Sequence, residues 1–235
     1  MVKLLLLVSI SFVYCLPSFS QKDNPRILFS EALSNHLKDY KKQAKAAYYD
    51  QDYVEVQRLY DSLVDYNLSN TFMDDFKFRR INSKIKSLYH FIKPVYLITY
   101  ASWCVSSEGE IPAINALAAE YSDRIDFVII FWDDQKTTKK MAKNYNEHVK
   151  VLYVNELENK HSHVISQLKH SLGLPTTFII DGNKKILDIK RGFTHPYGKS
   201  LEKSFSLNYD FIYEGIANHL LSGETDPSFG KVASF

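Results

Sequence analysis

The sequence predicts an α/β three-layer sandwich, a mixed central sheet flanked by helices, with a helical appendage at its N-terminal side. Three observations lead there. From Pro94 to Leu172, short runs of strand composition alternate with segments of helical period. The next stretch reads as a hairpin, Phe178-Ile179-Ile180 and Ile186 to Ile189 around Asp181-Gly182-Asn183-Lys184, followed by one long amphipathic segment. Before Asn67 the periodicity is helical throughout. A chain of 235 residues with 45% hydrophobic content is large enough for one such domain plus an appendage.

Residues 1–20 read as a secretory signal peptide: Lys3, an apolar block from Leu4 to Leu16, then small residues Ser18 and Ser20 at the expected cleavage point. The apolar block falls short of the roughly 18 to 20 residues that span a bilayer. Cys15 follows Val13-Tyr14, which are not the small residues expected before a lipid-modified cysteine. Cleavage after Ser20 predicts an exported protein, periplasmic or secreted, with no membrane span. It also removes Cys15, leaving Cys104 as the one thiol, so no disulfide within the mature chain is expected. Loss of Lys3 leaves 28 basic against 27 acidic residues, a balance that gives no electrostatic case for nucleic acid.

Residues 21–70 form the helical region. Ile27, Leu28, Ala32, Leu33, Leu37 and Tyr40 share one face, and after the break Asp50-Gln51-Asp52 a second helix uses Val54, Val56, Leu59, Tyr60, Leu63 and Val64. The pair has the shape of one tetratricopeptide-like unit without a second copy. It either packs on the main domain or forms a partner-binding module.

Residues 71–222 are expected to form the α/β domain. Phe76-Lys77-Phe78 and Ile81 to Ile85 suggest a hairpin turning at Asn82-Ser83. Pro94 to Tyr100 has the β-branched and aromatic composition of a buried parallel strand. Ala101-Ser102-Trp103-Cys104 follows, and a helix is expected from Ser107 to Tyr121 with a kink at Pro112. Ile125 to Trp132 is a strand, Lys136 to Asn146 a helix, Val149 to Val154 a strand, and His161 to Leu172 a helix. The last helix runs from about Lys199 to Leu221 through Leu201, Phe205, Tyr209, Ile212, Ile216 and Leu220. Residues 223–235 are expected to be a flexible tail.

Three motifs stand in order: Trp103-Cys104-Val105-Ser106-Ser107, Glu110-Ile111-Pro112, and Leu174-Pro175-Thr176, with about 70 residues between cysteine and proline. On these residues the chain resembles the thioredoxin-like superfamily, and within it the exported TlpA/ResA-like thiol-disulfide oxidoreductases, over roughly Asp74 to Ser222. The resemblance implies a reactive Cys104 with Trp103 beside it. It implies a cis peptide before Pro175, with Leu174, Pro175 and Thr176 presenting backbone to a substrate peptide. The alternative for that loop is an ordinary Gly-Leu-Pro turn.

Two positions depart from the family pattern. Ser107 stands where a resolving cysteine is expected, which leaves monothiol chemistry: mixed-disulfide formation, isomerisation, or capping by a small thiol. Ser107 can hydrogen-bond to the Cys104 thiolate and cap the helix start. Ile98 replaces the acid of ordinary thioredoxins, so no buried base is expected beneath the thiol. Glu110 is a candidate for proton transfer if its helix turns it toward the sulfur, and a solvated residue otherwise. A cysteine at a helix N-terminus is expected to have a lowered pKa; a buried, inert cysteine is the plain alternative.

The partners implied are disulfide- or thiol-containing proteins and an external reducing thiol, with no cofactor. The competing reading is a redox-inactive thioredoxin-fold binding or scaffold protein. Peroxidase chemistry of the peroxiredoxin kind needs a threonine three residues before the cysteine, where Ala101 stands. His161 and His163 flank Ser162 with no third ligand, so no metal site is expected. Asp133-Asp134 reads first as a loop-forming pair. No phosphate loop, dinucleotide fingerprint or serine hydrolase elbow is present.

Overall fold

The computed structural model describes residues 26–81, 83–158, 167–192 and 198–221. The signal peptide, Asn82, His161, His163 and the C-terminal tail all lie outside them. Among the described residues, two helices come first. In α1 (Phe29–Tyr49), Phe29, Ala32, Leu33, Tyr40 and Ala47 are buried, spaced as one helical stripe. Gln51 turns the chain with a φ of 59°, and Asp52 caps α2 (Tyr53–Leu63) by accepting the Glu55 N–H at 2.9 Å. A wide helical turn, Val64–Leu68, follows directly. The N-terminal end of α1 is tied to the domain by Asp74, whose carboxylate accepts the Ser30 N–H at 3.0 Å and the Ser30 hydroxyl at 2.7 Å.

Seven strands make one sheet: β1 (Lys77–Arg80), β2 (Ser83–Ser87), β3 (Val95–Tyr100), β4 (Asp126–Phe131), β5 (Val149–Tyr153), β6 (Thr176–Ile180) and β7 (Ile186–Arg191). Their order is β2-β1-β5-β4-β3-β6-β7. The three central strands β5, β4 and β3 run parallel, while β6 pairs antiparallel with β3 and with β7, and β1 antiparallel with β5 and with β2. The parallel connections pass through α3 (Glu110–Glu120) and α4 (Gln135–Met141), and α5 (Leu201–Ile216) closes the fold. This is the expected mixed sandwich.

Strand alternation splits the sheet into two apolar faces. Val95, Leu97, Val128, Ile130, Phe178 and Ile180 face one side, where Phe29, Leu33, Tyr60 and Leu63 of α1 and α2 cover them. The Phe29 and Phe178 rings meet edge to face at 5.5 Å. The guanidinium of Arg191 lies 4.2 Å from the Tyr60 ring centre, so a strand-end cation also holds α2 down. Tyr96, Ile98, Tyr100, Phe127, Ile129 and Phe131 face the other side, under Ile114, Leu117 and Ala118 of α3 and Ile212 and Ile216 of α5. The N-terminal helices therefore supply one of the three layers.

Three features differ from the expectations. The cysteine helix begins at Glu110, not Ser107, because Gly109 packs against α5 and keeps the preceding residues irregular. Pro112 consequently falls in the first helical turn, where its missing N–H costs no intrahelical bond and no kink is called for. In α5 the buried residues are Ser204, Asn208, Ile212, Gly215 and Ile216, whereas Leu201 is 54% exposed. The inward face of this helix is thus polar at its N-terminal half.

Candidate functional site

The sequence-predicted residues gather at the C-terminal ends of β3 and β4 and the start of β6. Tyr100 pairs with Phe131 at the top of β3 and β4, and Thr99 pairs with Thr176 across β3 and β6. That register brings Pro175 alongside the end of β3, from which the loop Ala101 to Gly109 leaves. The Cys104 N–H closes back on the Ala101 carbonyl at 2.9 Å. Cys104 is half-buried, the one cysteine among the described residues, and it packs against both apolar faces of the sheet. Trp103 is 67% exposed and Val105 is exposed too, so the thiol is flanked by two apolar side chains that face solvent. Trp103 shields little of the thiol with its own bulk.

On the neighbouring strand, the Leu174-Pro175 peptide is cis. The Pro175 carbonyl accepts the Gly192 N–H at 3.0 Å, and the Thr176 hydroxyl donates to the Gly173 carbonyl at 2.8 Å. The Thr99 hydroxyl donates to the Thr176 carbonyl at 3.1 Å. Thr176 is accordingly a fixed strand residue, while Leu174 and Pro175 are half-buried and Gly173 is exposed.

Ser107 is engaged with α5. Its hydroxyl accepts a hydrogen bond from the Asn208 amide of α5 at 2.8 Å, and among the described residues none links it to Cys104. The same amide donates to the Ser204 carbonyl at 2.6 Å, and the Ser204 hydroxyl accepts the Gly109 N–H at 3.0 Å. Ser107, Ser204 and Asn208 are all buried. The helix begins at Glu110 with Gly109 at its N-cap position, where no side chain caps it. The loop after the cysteine is instead fastened to α5 by a buried polar bridge. A Cβ on Gly109 would lie 2.1 Å from the Phe205 backbone nitrogen, so only glycine admits this approach.

A buried carboxyl is present after all. Glu110, the first residue of α3, is 1% exposed, and its Oε2 has no hydrogen-bond partner. Burial pushes its carboxyl up to about 8, against which a backbone hydrogen bond at Ser107 works only partly. Its charge acts on Cys104, on the buried Tyr96 and on the half-buried Tyr145. The acid missing at Ile98 on β3 is thus met by one arriving from α3.

The thiol itself is shifted upward, opposite to the sequence expectation. Burial is the largest cause; a backbone hydrogen bond at Ala101 opposes it, the charges of Glu110 and Asp133 add to it, and Lys169 opposes it. The helix start lies six residues beyond Cys104, so the macrodipole that was expected to favour the thiolate acts elsewhere.

Sequence reasoning took Asp133 as one of a loop-forming pair and passed over Lys169, Ser204 and Asn208. Asp133 accepts both the N–H and the hydroxyl of Ser102, at 2.8 and 2.6 Å, while Asp134 caps α4 through the Thr137 N–H at 2.7 Å. The available signal was register, since Asp133 continues β4 to the level of Ser102. Among the described residues no cluster of side chains suits a metal ion, and no helix is long and apolar enough to cross a membrane. Ala101 is fully buried, placing a methyl group where peroxidase chemistry asks for a hydroxyl.

A family profile described as the AhpC/TSA family matches residues 70–189, just over half of the chain. The Thioredoxin-like protein YneN of Bacillus subtilis is 26% identical over 100 residues, 43% of this chain and 57% of that protein. The Thiol:disulfide interchange protein TxlA of Synechococcus elongatus is 43% identical over 44 residues, 19% of this chain and 23% of that protein. The chain therefore spans little more than half of the first relative and a quarter or less of the second. Among solved structures, a thiol:disulfide interchange protein from Bacteroides sp. superposes with a TM-score of 0.49 at 15% identity, over 68% of this chain and 95% of that one.

Proposed function

Because the chain belongs to the AhpC/TSA family and is thioredoxin-like in fold, we propose that it is an exported thiol-disulfide exchange protein of monothiol type, acting on protein disulfides through Cys104. What supports this reading is a half-buried thiol in the loop that leaves β3, at the sheet end where the cis Leu174-Pro175 peptide leads into β6, together with a buried Glu110 carboxyl that has an unpartnered oxygen. The Cys104 thiolate attacks one sulfur of a substrate disulfide. The substrate S–S bond breaks, a Cys104-substrate disulfide forms, and the second substrate sulfur leaves as a thiolate that takes up a proton. In this reading Glu110, whose carboxyl burial pushes up to about 8, gives a proton to the leaving thiolate near neutral pH and takes one from the thiol only in its ionised fraction. Substrate backbone pairs along Leu174 next to Pro175, with Trp103 and Val105 as exposed apolar contacts.

Because Ser107 carries a hydroxyl and no thiol, release requires another thiol, either a further cysteine of the substrate or a small or protein thiol. The first route isomerises a disulfide with no net redox change; the second reduces it and oxidises the external thiol.

One observation favours the alternative, a binding protein without turnover: the thiol is shifted toward its protonated form. The two readings separate on incubation of residues 21–235 with a disulfide-bonded peptide, resolved on non-reducing gels. Exchange predicts a one-to-one adduct that dithiothreitol reverses and Cys104→Ser abolishes. A chain that binds the peptide equally with and without Cys104, and forms no adduct from pH 7 to 9, is a scaffold.

A further inference from the structure

Asp133 stands one residue past Trp132, whose N–H donates to the Tyr100 carbonyl at 2.9 Å. Since Phe131 pairs with Tyr100, Asp133 continues the parallel register to the level of Ser102. There its two carboxylate oxygens are both used, one by the Ser102 N–H at 2.8 Å and the other by the Ser102 hydroxyl at 2.6 Å. Short hydrogen bonds to an ionised acceptor are the stronger kind. Ser102 lies two residues before the thiol, in the turn that the Cys104 N–H closes on Ala101. We propose that Asp133 is a positioning residue for Cys104: it grips the turn from which the sulfur hangs and places a fixed negative charge near it. The role takes its purpose from the exchange reading above, but its test does not depend on that reading.

The loop from Ala101 to Gly109 carries no regular structure, so something other than a helix must fix the sulfur. Downstream, the bridge from Ser107 and Gly109 to α5 does so. Upstream, Asp133 is the one side chain bonded to the turn among the described residues. The charged groups bearing on the sulfur are Asp133 from the end of β4, Glu110 from α3, and Lys169 from the segment before Gly173, itself ion-paired with Glu156. The two carboxyls disfavour the thiolate and Lys169 favours it. Near pH 7 the Glu110 carboxyl holds its proton, which leaves Asp133 as the standing negative charge. Asp133 therefore fixes where the thiol sits and also raises the pH at which it becomes a nucleophile.

Iodoacetamide alkylation of Cys104 across pH 6 to 10, on residues 21–235, reads both effects without needing any disulfide partner. Asp133→Asn keeps acceptor and donor for Ser102 but loses the charge. Its alkylation midpoint should move to lower pH, with reaction at pH 7 about threefold faster and an unchanged high-pH plateau. Asp133→Ala should show the same downward move and, with the turn released, a raised plateau. Ser102→Ala, which keeps the carboxylate and the backbone bond, should hold the wild-type midpoint. An unmoved midpoint in both Asp133 variants, or equal plateaus in all three, overturns the proposal. Mixed-disulfide formation by the wild type, scored separately, tells failure of the exchange reading from failure of this one.

Discussion

Replacing Glu110 with glutamine keeps the shape of a buried side chain and removes its titration, so the variant isolates the cost of ionising a carboxylic acid in this core. The folded-state pKa is raised, from 4.5 to about 8. Above about pH 4.5 the unfolded chain gives up this proton while the folded chain keeps it. Stability therefore falls as pH rises, by about 1.4 kcal/mol per pH unit, until the folded carboxyl also ionises near pH 8. The whole displacement amounts to roughly 4–5 kcal/mol, a large part of the ~5–15 kcal/mol that holds an ordinary domain together. Glu110→Gln does not pay this penalty. Urea unfolding of both proteins at pH 5 and pH 9 measures the difference, and with a slope of about 2–3 kcal/mol per molar the midpoints should diverge by roughly 1.5–2 M on going to pH 9. The variant should be the more stable protein there and nearly equal at pH 5. Parallel pH profiles would mean that Glu110 is solvated in the folded protein, and its part in proton transfer at Cys104 would fall with it.

Three further outcomes follow from the bridge to α5. Asn208→Ala leaves the Ser107 hydroxyl and the Ser204 carbonyl short of a donor in a buried place and should cost about 1–3 kcal/mol in urea unfolding. Gly109→Ala drives a methyl group into the Phe205 and Ser204 backbone, which cannot give way as a side chain would; a loss of at least about 3 kcal/mol is expected by the same measurement. Ser107→Cys puts a weaker acceptor opposite Asn208 and a second thiol in the loop. It should gain dithiol reductase activity on an insulin-like substrate, and a mass spectrum without a disulfide between positions 104 and 107 would show that the loop holds them apart.

Strands β3, β4 and β6 were open to sequence reading because each is a short apolar run buried on both faces, whereas β1 and β2 are rich in charge and could be read only from the alternation around Phe76 to Ile85. The site was read less completely. Glu110 and Ser107 were recognised as the residues to watch, but their directions depended on where the helix begins. A start three residues later rotates the helix by most of a turn, carrying Glu110 inward and leaving Ser107 on an irregular strap. Ser204 and Asn208 were missed because apolar periodicity assigns polar residues to solvent, and here the stripe of Leu201, Phe205 and Tyr209 is the less buried one. Asp133 was legible only as a turn former. Its grip on Ser102 depends on two strands ending side by side, a relation between residues 31 positions apart.

The packing of Phe29 against Phe178 has a bearing on how the chain comes to be folded. A ribosome makes α1 and α2 first, yet the strand they cover follows about 150 residues later. Until β6 and β7 exist, Phe29 lacks the ring it packs against and Tyr60 lacks the Arg191 cation. The nascent protein thus carries the apolar stripe of these helices only partly covered for much of its synthesis, and a holding chaperone that recognises amphipathic helices would find its target there, at Phe29 to Leu63, well before β6 has formed.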